Sequence, residues 1–317
     1  MRSPLNNKEE PRRPWTSRSI GSSFQHNFFY IMIRLGGRRL AYFFLYFIVA
    51  YYIIFRSSIR RRCHYYLSHR FPESNIIKRI AYSYRLYICF GKVLIDRAII
   101  GILGSEKISV TFEQKETLKR LVSDGKGVIF LMAHAGCWQV ALSALNYLDT
   151  PVNMVLRREE GDIDRHYFEH QSSSGIPFNI IDPDGFLGGT LEMINCLKRG
   201  EVMCIMGDRV FGNLKNTVQV DFLGQKASFP FSAFKVASAT GAPLVILLTY
   251  KKDAETFGIE LVKIIHVPED MGRSGENYRP YVTEFVRTLE RYTEVHPFQF
   301  FNFYDMWGNL NSIAFTD

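Results

Sequence analysis

Acidic residues are almost missing from the first part of this chain. Residues 1–70 carry 13 Lys/Arg against 2 Asp/Glu, net +11, whereas the remainder carries 26 against 29, net −3. The overall +8 therefore belongs to an N-terminal arm, which points to a membrane surface or an acidic partner rather than to a basic globular body. Cysteine is also scarce: five in 317 residues, an odd number without regular spacing, fits a reducing compartment and excludes a disulfide framework. His134 and Cys137 lack further ligands at metal-binding spacing, so no metal site is expected. The glycine-rich stretch Gly185–Gly189 lacks the Lys-Ser/Thr of a phosphate loop. No linker, repeat or low-complexity segment divides residues 73–317. A secretory signal peptide is not expected, because the first apolar run starts late and no small-residue cleavage site follows it.

Apolar residues are plentiful. They make up 47% of the chain, with 26 Phe and 17 Tyr, enough for a sizeable core. Residues 1–20, with Pro4, Pro11 and Pro14, are expected to lack regular structure of their own. The run Leu40–Phe55 is uncharged and rich in aromatic and branched residues. As a helix it would rise about 24 Å, less than the roughly 30 Å of bilayer hydrocarbon. Arg38 and Arg39 precede it; Arg56, Arg60, Arg61 and Arg62 follow. Cations at both ends favour a segment lying along or dipping into one anionic leaflet. A buried core helix and a single crossing with snorkelling flanks are the alternatives. Nucleic acid is not an expected partner, because the aromatics form a hydrophobic block rather than a polar stacking face.

The body alternates strand and helix signals. Strands are expected at Val128–Ala133, Val152–Leu156, Phe178–Ile181, Val202–Met206 and Pro243–Tyr250, with Ile259–His266 pairing against the last. Helices are expected at Thr111–Ser123, where Thr111 and Gln114 have capping-box spacing, and at Cys137–Leu148, Ile163–Ser174, Gly189–Arg199, Phe231–Thr240 and Tyr281–Val295. Turns fall at Asp124–Gly127 and Asp182–Gly185; the latter lacks the remaining ligands of a calcium loop. The pattern predicts an α/β fold with a mixed, largely parallel central sheet flanked by helices. The N-terminal arm, residues 1–72, would be a hydrophobic, membrane-associated helical extension docked on one domain, residues 73–317.

In such a sheet, polar residues just past the carboxyl ends of strands meet the ligand. Three places qualify: His134 after Val128–Ala133, Arg157 and Arg158 after Val152–Leu156, and Asp208 and Arg209 after Val202–Met206. A histidine there is suited to general-base chemistry, since its ordinary pKa lies near neutrality. Gly136 beside it permits close approach of backbone or substrate. A histidine in such a place can equally be a packed residue, and the arginines can be surface ion pairs with Glu159, Glu160 or Asp208. Cys137, at a helix start, suggests a Cys–His nucleophile as a rival chemistry.

Met132–Leu142 (MAHAGCWQVAL) resembles the His-x4-acid motif of the lysophospholipid acyltransferase superfamily, and within it the bacterial lipid A biosynthesis acyltransferases. Trp15–Ser22, Leu197–Gly212 with its Asp after a strand, Val220–Val245 with Phe-Leu-Gly and Gly-Ala-Pro, and His296–Trp307 resemble further blocks of that family. The last block carries Asp305 where lipid A enzymes usually have Arg. The resemblance implies a glycerolipid acyltransferase-like fold and transfer of a fatty acyl chain from an acyl thioester to a hydroxyl or amine of a lipid or glycolipid acceptor. The thioester is that of acyl carrier protein or coenzyme A, used as co-substrate with no other cofactor. It implies His134 as base, backbone N–H groups near Gly136 and an Arg at the oxyanion, and Arg157 holding an acceptor oxygen through its planar fork. Acyl carrier protein and an anionic membrane surface are the implied partners, at the cytoplasmic face of the bacterial inner membrane.

The resemblance fails at one central position. The family's carboxylate falls on Gln139. Glutamine can accept from the ring N–H and hold the tautomer, but it brings no charge to offset the imidazolium. Either the His–Gln pair suffices, or another carboxylate supplies the charge, or the protein is a non-catalytic lipid-binding or scaffold relative of the same fold. Asp208, ending a strand expected on the same sheet edge, is the candidate substitute.

Overall fold

A computed structural model of the chain describes residues 23–143, 145–157, 178–210 and 216–308. The expected helix Ile163–Ser174 and the Trp15–Ser22 block lie outside them. The chain enters through three helices, α1 (Ser23–Phe55), α2 (Ser57–Arg70) and α3 (Ile76–Leu103). The body then runs β1 (Ser109–Thr111), α4 (Lys115–Ser123), β2 (Val128–Met132), α5 (Trp138–Ser143), β3 (Val152–Val155), β4 (Phe178–Ile181), α6 (Thr190–Lys198), β5 (Val202–Met206), β6 (Thr217–Phe222), β7 (Gln225–Pro230), α7 (Ser232–Thr240), β8 (Leu244–Lys251), β9 (Thr256–Ile265) and α8 (Gly275–Val295).

Among the described residues, seven strands form one sheet in the order β1-β9-β8-β2-β5-β3-β4. β8, β2, β5, β3 and β4 run parallel, and β9 runs antiparallel to β8 with β1 alongside it. The central strands are continuous apolar runs because both faces are covered. Ile129 and Leu131 of β2, Met203 and Ile205 of β5, and Leu244, Ile246 and Leu248 of β8 meet α6, α7 and α8. The alternate residues Val128, Phe130 and Met132, Val202 and Cys204, and Val245 and Leu247 meet Leu118 and Val122 of α4 and Trp138. The α/β reading with a mostly parallel sheet therefore holds.

Several boundaries differ from expectation. Thr111 joins β1 and its hydroxyl donates to the Phe257 carbonyl, so the capping box does not form and α4 starts at Lys115. α5 stops at Ser143, and a 3-10 turn at Asn146–Leu148 follows. α8 begins six residues before the expected Tyr281 and runs through Pro280, which only leaves the Glu276 carbonyl without its helical donor. β6 and β7, not anticipated, form a separate hairpin around Leu223-Gly224. Both turn residues have positive φ, 51° and 83°, the geometry that matches strand twist in a two-residue hairpin.

The N-terminal arm contributes directly to this body. Cys63, Tyr66 and Leu67 of α2 are buried in the same core as the sheet residues, and the Tyr66 hydroxyl donates to the Pro297 carbonyl at 2.8 Å. α1 lies on α3 through Ile33, Ala41, Leu45, Val49 and Ile53, which contact Ile88, Ile95 and Ile99. Its opposite face leaves Phe43, Phe47, Tyr51, Ile54 and Phe55 exposed. The helix is longer than the Leu40–Phe55 run suggested. Gln25–Phe55 is 31 residues, long and apolar enough to cross a membrane by length and composition, although Gly36 and Gly37 break its helical geometry.

Candidate active site

β2 and β5 are parallel neighbours with Met132 opposite Met206. Two residues past each strand end stand His134 and Asp208, and the shared register puts them side by side. His134 Nδ1 lies 2.9 Å and 3.1 Å from the two Asp208 carboxylate oxygens. The His134 backbone N–H donates to Oδ2 at 3.1 Å. Asp208 is buried, only 2% exposed. Burial would raise its pKa, but the His134 charge, the ring and main-chain hydrogen bonds and the Arg209 guanidinium outweigh that and hold the carboxyl below its ordinary range. An ionised carboxylate can only accept, so Nδ1 must carry the proton and Nε2 the lone pair. The imidazole keeps 23% of its surface exposed, which leaves the ring accessible from outside while its orienting partner is dry.

The turn between His134 and Cys137 is held from two sides. Gly136 has φ +59°, and a Cβ there would come within 2.0 Å of the Thr249 carbonyl oxygen; only glycine fits. The Thr249 hydroxyl donates to the Ala135 carbonyl at 2.9 Å. On the other side, Ala135 bridges antiparallel to Phe300, the Phe301 N–H donates to the His134 carbonyl at 2.8 Å, and the Gly136 N–H donates to the Gln299 carbonyl at 2.8 Å. Gly136's own N–H is therefore engaged within the protein and not aimed at an oxyanion. The C-terminal segment also steadies Asp208: the Tyr304 hydroxyl donates to the Asp208 main-chain carbonyl at 3.1 Å, and Arg209 Nη2 donates to the Phe301 carbonyl at 3.0 Å.

The other expected residues are placed as follows. Gln139 is buried on α5, and its Oε1 accepts from Cys137 Sγ at 3.7 Å. Arg157 stands past β3, two strands from β2 and so about 10 Å along the sheet edge from the His134 position. Its Nε pairs with the Asp184 carboxylate in a surface ion pair. Asp184 belongs to the Asp182–Gly185 turn, closed by Asp182 Oδ1 accepting from the Asp184 N–H at 2.9 Å. Arg158, Glu159 and Glu160 lie outside the described residues. The Cys137 thiol is fully buried, and burial pushes its pKa up to about 12, so the thiolate nucleophile has no physical support. Among the described residues no group of three His, Cys, Asp or Glu could hold a metal.

Thr249, Gln299, Phe301 and Tyr304 were not picked out as site residues. The last three sit in the His296–Trp307 block, whose resemblance marked the segment but not its contacts. Thr249 is a buried strand residue whose polar side chain was the only available signal. Comparison with curated proteins gives no match. The family model described as bacterial lipid A biosynthesis acyltransferase matches residues 15–307. That match takes in the His134 and Asp208 strands and the C-terminal segment that holds them, and the chain belongs to the bacterial lipid A biosynthesis acyltransferase family.

Proposed function

We propose that this acyltransferase moves a fatty acyl chain from the thioester of acyl carrier protein or coenzyme A to a hydroxyl or amine of a lipid or glycolipid acceptor, with His134 as general base and Asp208 as its carboxylate. The observation that carries the reading is the His134–Asp208 pair, in which a buried carboxylate accepts from Nδ1 and so fixes the ring's tautomer, with the lone pair on Nε2. Nε2 takes the acceptor proton as the acceptor oxygen or nitrogen attacks the thioester carbonyl carbon. The tetrahedral intermediate then collapses, the carbon–sulfur bond breaks, and the departing thiolate takes the proton back from the imidazolium. Asp208 stabilises that imidazolium, the task the family's motif assigns to the Gln139 position. Arg157 and Arg209 are the candidate contacts to acceptor oxygens or the oxyanion, Arg209 being one residue from the pair.

The site works at a membrane in this reading. The exposed α1 face of Phe43, Phe47, Tyr51, Ile54 and Phe55, with exposed Arg34, Arg39, Arg56 and Arg61 at its ends, suits the headgroup–acyl boundary of an anionic leaflet. The cytoplasmic face of the bacterial inner membrane supplies both that surface and the acyl carrier protein. Gln139 favours the second reading, a lipid-binding relative without turnover. Thiol release from acyl thioesters by detergent-purified protein separates the two. Transfer that depends on His134 supports the enzyme, and thiol release at the same rate in wild type and His134→Ala refutes it. Lipid mass spectrometry of cells with and without the gene then identifies the acceptor and chain length.

A further inference from the structure

Asp96 on α3 has no exposed surface, yet it is charged company for residues from two other elements. Its carboxylate accepts from Arg38 Nε at 3.0 Å and from the Tyr42 hydroxyl at 2.8 Å to each oxygen. Lys251 Nζ donates to it at 2.7 Å. Arg38 and Tyr42 lie on α1, immediately beyond the Gly36–Gly37 break, and Lys251 is the last residue of β8. Arg38 reaches further, with Nη2 on the Lys107 carbonyl at 2.9 Å and Nη1 on Glu255 at 3.1 Å. Apolar contacts already pack α1 on α3, and a buried ion cluster is a costly way to add stability, since desolvation offsets most of the attraction. What the cluster adds is direction: it fixes where α1 meets the end of β8.

From Lys251 the contacts continue to the base. The Lys251 N–H donates to Gln299 Oε1 at 2.7 Å, and Gln299 Nε2 donates to the Lys251 carbonyl at 3.0 Å. The Gln299 main-chain carbonyl takes the Gly136 N–H, and two residues on Phe301 holds the His134 carbonyl. Each step is a short hydrogen bond between named atoms, and the path joins the N-terminal helix to the turn that aims the imidazole.

We propose that Asp96 is a positioning residue for the His134 turn, tying α1 to the end of β8 while Gln299 carries that tie to the C-terminal segment holding the turn. The inference rests on His134 being the base. Spatial continuity does not establish coupling, so the test must read the turn itself. Full-length wild type, Asp96→Asn and Gln299→Leu in the same detergent are compared by hydrogen–deuterium exchange and by turnover of palmitoyl-coenzyme A. Both variants are expected to exchange about tenfold faster in peptides covering 134–137 and 299–302, with β2 and β5 amides unchanged, because a local opening leaves the core intact. A base displaced by a fraction of an ångström is expected to lower kcat by about tenfold or more, with the thioester KM within about threefold. The double variant is expected to be no worse than the poorer single one, as for residues acting in one chain.

Unchanged exchange at both peptides in folded variants overturns the proposal, and so does acceleration spread evenly through the sheet. If Asp96→Asn does not fold, Gln299→Leu decides alone, since it removes only the two side-chain bonds to Lys251. Absence of transfer in wild type would defeat the enzymatic reading, whereas the exchange result would still decide whether the tie exists.

Discussion

Replacing Asp208 by Asn is the sharpest perturbation available. The side chains are nearly the same size, so packing is retained and only charge and one acceptor are lost. Asp208 makes three contacts with His134, two to Nδ1 and one to the backbone N–H. An amide has a single oxygen. If it serves the backbone N–H, its NH2 faces Nδ1 and forces the proton to Nε2, the wrong tautomer for a base. If it serves Nδ1, the NH2 opposes the backbone N–H, and the imidazolium is stabilised only by a dipole. The corresponding change in a hydrolase triad costs about 10⁴ in kcat, equivalent to about 5.4 kcal/mol of barrier. Here Asp208 is as well buried but the ring is partly solvated, so kcat is expected to fall by about 10²–10⁴ with little change in thioester KM. Removing the charge also relieves desolvation, so folding stability is expected to change by less than about 3 kcal/mol. The assay is thiol release from an acyl thioester, at equal folded yield judged by circular dichroism and gel filtration. Turnover within about threefold of wild type would refute the assignment of Asp208 as the base's carboxylate.

Other outcomes follow from the same geometry. Gly136→Ala must place a Cβ on the Thr249 carbonyl and hold alanine at positive φ; we expect a loss of about 2–5 kcal/mol in denaturant melts, with turnover falling in whatever protein remains folded. The depressed Asp208 pKa has a definite sign. Its stabilising contribution is fully present above the ordinary carboxylate value of about 3.9 and is lost as pH falls through the lower folded value. Below the ordinary imidazole range, under about pH 4, the stability gap between wild type and Asp208→Asn should therefore narrow as the carboxyl protonates, and a gap that widens there would contradict the pairing. Iodoacetamide is expected to leave turnover of the native protein unchanged, because the Cys137 thiol is buried and its pKa is pushed up to about 12; rapid loss matched to Cys137 labelling would restore the nucleophile reading.

Strand and helix positions within the body were largely legible, because burial periodicity and turn residues are local. β4 and β5 fall where the apolar runs place them, and β2, β8, α6 and α7 agree within a residue or two at their ends. Misses occurred where a distant partner overrode local preference. Thr111 looked like a cap but pairs with β9; the helical reading Cys137–Leu148 also ran past Ser143, where α5 ends. α2 fell within the expected helical arm without bounds of its own, and residues 73–103, where α3 lies, were not assigned. Their polar and aromatic residues mix too evenly for a clean stripe, and they become helices with buried faces through α1, the sheet and the C-terminal segment. His134 and Asp208 were both legible as polar residues ending buried strands. Gly136 was legible as a point of close approach by backbone or substrate; only the fold decided that backbone, the Thr249 carbonyl, takes that space.

Chain order alone therefore told that this protein alternates strands and helices, that its basic charge is confined to the N-terminal arm, and that a histidine and an aspartate each cap a buried strand. Local periodicity, charge and turn chemistry suffice for such statements. That β2 and β5 are neighbours, so that side chains 74 residues apart share a proton-bearing hydrogen bond, was decided only by the folded sheet. Strand order depends on how every helix finds cover on one face or the other, and no short stretch of residues contains that information.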